Sequence, residues 1–344
     1  MGEYARSLAI ARAARGRWPD ASIRFMLSRE APYAAATPFD ATLLPSSPTF
    51  HSAEVAAAIA AMRPDVVIFD NAGRTAQLRA AVAAGAAVVY ISARARQWRK
   101  AHRLRWMRLI DEHWAAYPRF LSAAPGRFDA LKLRWLGRPV IRHLDVVLPA
   151  PDPARRAALL ADLSGGAAPI LVVPGGGTGH PGAADAAAIF LDVAGALAAD
   201  GDAVIYVGPA WRAQAPAPAT PLSGRAALPQ ADLVELMRAA RLVVVNGGST
   251  LAQAIACGAA CVAAPIAKDQ AARIGRAVAA GVARGSPLRA DAIVREARHL
   301  LRDPRALAAL AARAAAAPFA DGNQVAVAAL AGLLERGRAH AAGA

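Results

Sequence analysis

Two glycine-rich segments have the composition of loops that bind phosphate. The first, residues 173–180, lies between an apolar run that predicts a strand and a run that predicts a helix. Its candidate binding residues are Gly175, Gly176, Gly177 and Thr178. Glycines let the backbone approach a phosphate closely, and free N–H groups at a helix N-terminus favour negative charge. No Walker lysine follows, so this segment is not an ATPase P-loop, and taken alone it is equally compatible with a flexible turn.

The second segment, residues 246–253, also separates a predicted strand from a predicted helix. Its candidate binding residues are Gly247, Gly248, Ser249 and Thr250. The two hydroxyls lie where an N-cap side chain either caps the helix or reaches a phosphate oxygen. Gln253 is one turn further along, placed to bond a ribose hydroxyl, and Asp269 and Gln270 follow the next predicted strand. Two such loops in one half of the chain are more specific than either loop alone.

A third group of residues forms a basic segment. The chain has 40 Lys and Arg against 25 Asp and Glu, and residues 94–142 contain 13 of these cations and 3 of the acids. The surface candidates in this segment are Arg94, Arg96, Trp98, Arg99, Lys100, Arg103, Arg105 and Trp106. Arginine and tryptophan together suit an anionic ligand or membrane surface. The alternative is a solvated basic face with buried tryptophans.

Strands and helices alternate along the chain and must position these residues. Short apolar runs predict strands at residues 22–27, 65–70, 88–91, 170–173, 203–207, 242–245 and 260–264. Helices are predicted at residues 7–15, 51–63, 75–84, 184–199, 233–240 and 250–257. Continuous apolar strands separated by helices are typical of a parallel sheet that is covered on both faces.

The proline-rich residues 149–153 predict a linker between two α/β domains, residues 1–149 and 150–344. The alanine-rich helices of residues 302–337 could pack on either domain. Two such domains predict a ligand in the cleft between them. Residues 2–3 lead directly into a helix, so the first domain is expected either to lack its first strand or to have a true start upstream of Met1. The upstream start is favoured because an empty central strand position would leave backbone groups unpaired.

Composition excludes several classes of protein. With 344 residues, 56% of them apolar, and two cysteines, the chain is neither disordered nor a disulfide-stapled module. The longest uncharged stretch, residues 242–267, is interrupted by turn residues and therefore predicts buried α/β elements instead of a membrane span. No signal peptide is recognisable. A cytoplasmic protein is expected, either freely soluble or attached peripherally to the inner face of the cell membrane.

Three motifs of the C-terminal half resemble the donor half of GT-B glycosyltransferases. They are residues 231–237, 247–250 and 268–270, and residues 2–11 are similar to the first loop and helix of the same group. The nearest patterns are those of the peptidoglycan N-acetylglucosaminyltransferase that forms lipid II and of the nucleotide-sugar hydrolase of the pseudaminic acid pathway. The resemblance implies two Rossmann-like, doubly wound domains facing across a cleft. The second domain would bind a nucleotide-diphosphate sugar, with UDP as the expected nucleotide, and the first would bind the acceptor.

The resemblance also assigns roles to individual residues. Gly176 and Gly177 would face the diphosphate, with Ser249 and Thr250 beside it. Gln253 stands where the family has a glutamate that holds the ribose. Gln270 matches the glutamine that contacts the sugar.

The expected general base departs from the family pattern. Relatives have a histidine after the N-terminal glycine, where this chain has Glu3. A carboxylate can remove a hydroxyl proton if its environment raises its pKa. Alternatively, Glu3 only stabilises the positive N-terminus of the helix. Asp70, at the end of a predicted strand, is the reserve base, although it could simply form a turn.

The expected function is transfer of a sugar to a hydroxyl of an anionic or lipid-linked acceptor, such as a polyprenyl phosphate, in cell-envelope glycan synthesis. No metal or other cofactor is expected, because backbone N–H groups and a helix dipole can stabilise the leaving diphosphate. One alternative is a nucleotide-sugar hydrolase or epimerase of the same fold. The other is a non-catalytic basic protein that binds membranes or nucleic acid, although no nucleic-acid motif is present and nucleic acid is not an expected partner.

Overall fold

The computed structural model describes residues 2–31, 33–122, 125–175, 183–212 and 221–342. They divide into two compact units. The N-terminal unit contains the described residues of Gly2–Arg119, Ala123–Val147 and Ala320–Ala344. The second unit contains those of Phe120–Ser122 and Leu148–Phe319.

Helices and strands alternate in both units. The first half of the chain forms α1 (Gly2–Arg17), β1 (Arg24–Ser28), β2 (Asp40–Leu44), a 3-10 turn (Pro48–Phe50), α2 (Ser52–Met62), β3 (Val66–Asp70), α3 (Thr75–Ala83), β4 (Ala87–Ser92), α4 (Ala95–Ala101), α5 (Leu104–Met107), β5 (Glu112–Ala115), α6 (Arg127–Leu136) and β6 (Val140–His143). The second half forms α7 (Pro153–Ser164), β7 (Ile170–Val173), α8 (Ala183–Ala198), β8 (Val204–Val207), β9 (Leu222–Arg225), α9 (Gln230–Ala239), β10 (Leu242–Asn246), α10 (Ser249–Ala256), β11 (Cys261–Ala264), α11 (Lys268–Ala279), β12 (Arg284–Gly285), α12 (Ala290–Arg302), α13 (Pro304–Ala315) and α14 (Gly322–Ala342). The predicted alternation and the α/β fold class are confirmed.

The second unit is built on one parallel sheet of six strands in the order β12-β11-β10-β7-β8-β9. β7 and β10 are the central pair, with Ile170 opposite Leu242 and Val173 opposite Val245. The apolar residues of both strands are completely buried apart from 2% of Val173, because α8 and α12 pack on the sheet. This strand order is that of a doubly wound Rossmann sheet.

The N-terminal unit has a parallel four-stranded sheet in the order β3-β4-β5-β6 and a parallel pair β1-β2. α14 packs with α1 on this sheet, where Leu330 and Leu333 join Ile10 and Ile91 in one apolar cluster. Among the described residues, β1 pairs only with β2, and the outer edge of β3 pairs with no strand. Ile68, in the middle of β3, is accordingly 36% exposed. The expectation that a first strand is missing stays a prediction.

Candidate functional site

The two glycine segments leave the second unit's sheet side by side. One follows β7 and the other follows β10, and these strands are neighbours at the point where the strand order reverses direction. In open α/β sheets, ligands bind beyond the carboxyl ends of the strands at this switch point. The topology therefore brings together two loops that are about 70 residues apart in sequence.

Asn246, the last residue of β10, connects the two loops. Its Nδ2 donates a hydrogen bond to the Pro174 carbonyl at 2.6 Å, and its Oδ1 accepts one from the Gly248 amide at 2.7 Å. The residue is only 6% exposed. It was not among the predicted binding residues, and its only sequence signal is that a polar residue ends an otherwise apolar strand.

Close packing excludes side chains from these loops. Gly175 has a φ of +85°, and a Cβ there would lie 2.1 Å from the Asn246 amide nitrogen. A Cβ on Gly247 would lie 2.8 Å from Ile274 Cδ1. The paths of the two loops therefore require glycine at both positions. Gly176, Gly177 and Thr178 lie outside the described residues.

The second loop ends at the N-terminus of α10, which has no side-chain cap. The N-cap residue is Gly248, so neither the Ser249 nor the Thr250 hydroxyl closes the helix. Ser249 is exposed, while Thr250 and Gln253 are half-buried. The first N–H groups of an uncapped helix attract anions. Of the two predicted roles for these hydroxyls, helix capping is not observed, and contact with a phosphate stays a prediction.

The Gln270 side chain holds the start of the second loop through hydrogen bonds. Its Oε1 accepts hydrogen bonds from the Gly247 amide at 3.1 Å and from the Ile266 amide at 2.9 Å, and the residue is 7% exposed. The side-chain carbonyl is thus engaged within the protein, so a sugar contact would have to use the amide group. Sequence comparison suggested the sugar contact and missed this structural role.

Arg273, one turn further along α11, is a buried cation beneath the same loop. Its Nη1 donates to the Gly247 carbonyl at 2.5 Å, and its Nη2 lies 3.5 Å from the carboxylate of Asp269. The Arg273 side chain is 7% exposed, whereas that of Asp269 is 44% exposed. A buried guanidinium below a glycine loop adds positive potential where phosphate would bind. No pattern in the sequence distinguished Arg273 from the surface arginines.

In the N-terminal unit, α1 and β3 meet through a buried ion pair. Arg6 donates to Asp70 Oδ1 at 2.5 Å and to Oδ2 at 3.1 Å, and the Ser7 hydroxyl donates to Oδ2 at 3.0 Å. Burial raises the pKa of the Asp70 carboxyl above its ordinary value, although Arg6 and Ser7 favour the charged form. Three donors already occupy this carboxylate, which suits a positioning role better than proton abstraction.

Glu3 lies in the first turn of α1 and accepts a hydrogen bond from Asn71 Nδ2 at 3.1 Å. Burial alone would raise the pKa of Glu3, but hydrogen bonds from its own backbone amide and from Asn71, together with nearby positive charge, lower it overall. This direction is opposite to the raised pKa that favours a strong base. Asn71 has a φ of +53° and accepts from the Ala93 amide at 2.8 Å, so it links the ends of β3 and β4.

The two tryptophans of the predicted surface patch, Trp98 and Trp106, pack against neighbouring side chains. Trp106 is 1% exposed, lies edge-on to Tyr90 at 5.2 Å and donates from Nε1 to Thr75 Oγ1 at 3.1 Å. Trp98 is half-buried and packs on His102 and His113. Trp106 therefore leaves the predicted surface patch, because its ring fills the space between α3, α5 and β4. Arg94, Arg96, Arg99, Arg103 and Arg105 remain exposed.

Several of these cations line a cavity of about 280 Å³. Its wall consists of Asn71, Arg96, Gln97, Lys100 and Arg103. None of its three cations forms an ion pair with an acid in the described part of the chain. Burial lowers the pKa of Lys100, and repulsion from neighbouring arginines adds to the effect. Since Asn71 also binds Glu3, the positive cavity and the candidate base share a residue.

Two further acidic residues, Asp200 and Asp202, form ion pairs with arginines. Asp200 pairs with Arg298, and Asp202 pairs with Arg241, so the Asp-x-Asp sequence at residues 200–202 is a salt-bridged turn. Among the described residues, no group of three or more His, Cys, Asp or Glu side chains is arranged to hold a metal ion. In the same residues, no helix combines the length and the apolar character needed to cross a membrane.

Comparison with known proteins identifies the fold. No family model and no curated protein matches the sequence. Among solved structures, the glycosyltransferase VinC in complex with dTDP has a TM-score of 0.69 at 15% identity, covering 97% of each chain. MurG of Acinetobacter baumannii has a TM-score of 0.59 at 16% identity, covering 94% of each chain. A UDP-N-acetylglucosamine 2-epimerase has a TM-score of 0.60 at 15% identity over 94% of this chain and 91% of its own. The chain therefore has the GT-B fold, as its sequence motifs indicated.

Proposed function

We propose that the protein is a glycosyltransferase that moves a sugar from a nucleotide-diphosphate donor to a hydroxyl of an anionic acceptor. The observation that carries this proposal is the pair of glycine loops at the switch point, joined through Asn246. Loops of this kind at this position suit a nucleotide diphosphate. The similarity to a dTDP-bound glycosyltransferase supports a nucleotide sugar as the donor, and we propose UDP as the nucleotide.

The diphosphate would bind to backbone N–H groups of the two loops and of the α10 N-terminus. When the bond between the anomeric carbon and the diphosphate breaks, the leaving group gains negative charge. Backbone dipoles and the buried Arg273 guanidinium, held below Gly247, would stabilise this charge without a metal. Thr250 and Gln253 lie on the first turns of α10 and would contact the phosphate and the ribose.

The acceptor hydroxyl would attack the anomeric carbon and transfer its proton to Glu3. The lowered pKa keeps Glu3 ionised near neutral pH, so it is available as a proton acceptor, although as a weak base. Asn71 would orient this carboxylate through its 3.1 Å hydrogen bond. Asp70 remains the reserve base, and its contacts with Arg6 and Ser7 favour a role in positioning α1.

The cavity lined by Arg96, Lys100 and Arg103 would bind the anionic part of the acceptor. Its cations lack acidic partners in the described structure, so a phosphate or diphosphate could pair with them directly. A polyprenyl phosphate carrier of the cell envelope has this chemistry. Such an acceptor would bring the enzyme to the inner face of the cell membrane.

Donor recognition can be tested by thermal shift with a panel of UDP- and dTDP-linked sugars. A true donor raises the melting temperature by linkage, and Gly175→Ala should abolish the shift because its side chain would collide with Asn246. Absence of any shift with every nucleotide sugar would contradict the proposal. An epimerase or hydrolase of this fold would turn over the donor without an acceptor, whereas a transferase releases the nucleotide only when an acceptor is added.

A further inference from the structure

Helix α6 presents three large apolar side chains to solvent. Phe128 is 84% exposed, Leu131 is 63% exposed and Trp135 is 70% exposed. Their spacing of three and four residues places them on one face of the helix. No residue of this ten-residue helix is fully buried. Single exposed apolar residues are ordinary, but three on one helical face indicate a surface that is covered by something else.

The surroundings of α6 are strongly basic. Arg127 and Arg134 on the helix are exposed and have no acidic partner in the described structure. The helix's one acid, Asp129, is paired with Lys132 at 2.6 Å. Lys132 Nζ also donates to the His102 carbonyl at 2.5 Å, which joins α6 to the chain just before the exposed Arg103. The apolar face thus lies within the basic segment of residues 94–142.

We propose that α6 docks on an anionic lipid bilayer, with Phe128, Leu131 and Trp135 inserted among the lipids and the surrounding arginines on the headgroups. An apolar face bordered by cations is the pattern of helices that lie in the plane of the membrane interface. A second copy of the chain fits less well, because two such faces would bring like charges together. Three side chains also cover only about 500 Å², below the roughly 800 Å² per partner of a stable interface.

This surface goes beyond the proposed function, since it would hold the protein on a membrane whatever the acceptor is. It also moves the membrane contact away from Trp106, which is buried, and from Trp98, which is half-buried against His102 and His113. The predicted patch of residues 94–106 and this surface of residues 127–135 both belong to the basic segment, but they have no residue in common.

Vesicle flotation of the full chain tests the inference without any substrate. We expect recovery with vesicles of phosphatidylcholine and phosphatidylglycerol, and little with phosphatidylcholine alone. Trp135→Glu and Phe128→Glu should each lower the partition coefficient about tenfold or more, while Trp135→Phe retains binding. Arg134→Gln should lower it about fivefold on anionic vesicles.

The control is Phe50→Glu, which changes another exposed phenylalanine (68%, against 84% for Phe128) outside the basic segment. It should leave the partition coefficient within about twofold of the original. Circular dichroism and melting temperature verify that each variant folds. Binding of Trp135→Glu at the original strength, or equal recovery with neutral and anionic vesicles, would overturn the proposal. So would a dimer in sedimentation velocity that Trp135→Glu dissociates, because the face would then be covered by a second copy.

Discussion

Substitution of Asn246 by alanine provides the sharpest test of the proposed donor site. The side chain makes two buried hydrogen bonds, to the Pro174 carbonyl and from the Gly248 amide. Each bond contributes about 0.5–1.5 kcal/mol net, and each backbone group left without a partner costs about 1–3 kcal/mol. We therefore expect Asn246→Ala to destabilise the second unit by about 2–4 kcal/mol.

The same change should weaken binding of the nucleotide diphosphate. If about half of that free energy serves to hold the two loops in their binding positions, the Kd rises about 5- to 30-fold. Isothermal titration with UDP and dTDP measures the Kd, and urea denaturation of the same samples measures the stability. The titrations are run at about 15 °C, close to the temperature at which proteins are typically most stable.

Gln77→Ala is a matched control for this substitution. Gln77 is 1% exposed and also makes two bonds to the backbone, donating to the Pro48 carbonyl at 2.8 Å and accepting from the Arg74 amide at 2.9 Å. It lies on α3, in the N-terminal unit. Its loss should cost similar stability and leave the Kd unchanged. An unchanged Kd in folded Asn246→Ala would refute the joint role of the loops, and an equal rise in Gln77→Ala would attribute the effect to general destabilisation.

Four further outcomes are expected. Glu3→Gln should bind donor normally and lose turnover by at least about a hundredfold, measured as acceptor-dependent nucleotide release; an active variant would disqualify Glu3 as the base. Because the pKa of Glu3 is lowered, turnover should stay constant from neutral pH down to about pH 5 and fall only below the ordinary glutamate pKa of about 4.3; a pH–rate profile that declines between pH 8 and 6 would contradict this. Arg6→Ala should destabilise the protein by about 3–5 kcal/mol, because it leaves the Asp70 carboxylate buried without its cation. Since burial raises the pKa of Asp70, more of this carboxyl is ionised at pH 8 than at pH 4. The loss of stability in Arg6→Ala should therefore be larger at pH 8, and urea denaturation at both pH values checks the sign.

The sequence was most informative where burial alone determines the element. Residues of β7 and β10 are uninterrupted apolar runs, and the structure buries them on both faces. β5 was missed because Glu112 and His113 interrupt the apolar pattern. Glu112 is nevertheless completely buried, since Arg142 reaches it from 30 residues away at 2.7 Å. Sequence periodicity cannot detect a charge whose burial depends on so distant a partner.

The same distinction applies to the candidate site. Strand ends and glycines predicted where the loops lie, because these signals are local. The Asn246 contact with Pro174 spans 72 residues, and the direction of the Gln270 carbonyl depends on the path of two backbone segments. The sequence also did not reveal the exposed face of α6. Its apolar residues have the spacing of a core helix, and only the structure shows that they stay exposed among the described residues.

The two units carry positive potential in different ways. In residues 94–142 all three acids are paired, Asp111 with Arg138, Glu112 with Arg142 and Asp129 with Lys132. Ten cations of this segment are thus without an acidic partner in the described structure, and their field extends over about one Debye length. The second unit instead presents glycine amides, an uncapped helix end and one buried arginine, whose effect is confined to the binding geometry. Selection of the nucleotide by the second unit would therefore depend on shape, whereas capture of the acceptor by the N-terminal unit would depend on charge. Any anionic surface could then compete with the acceptor for the N-terminal unit until the acceptor hydroxyl is correctly placed.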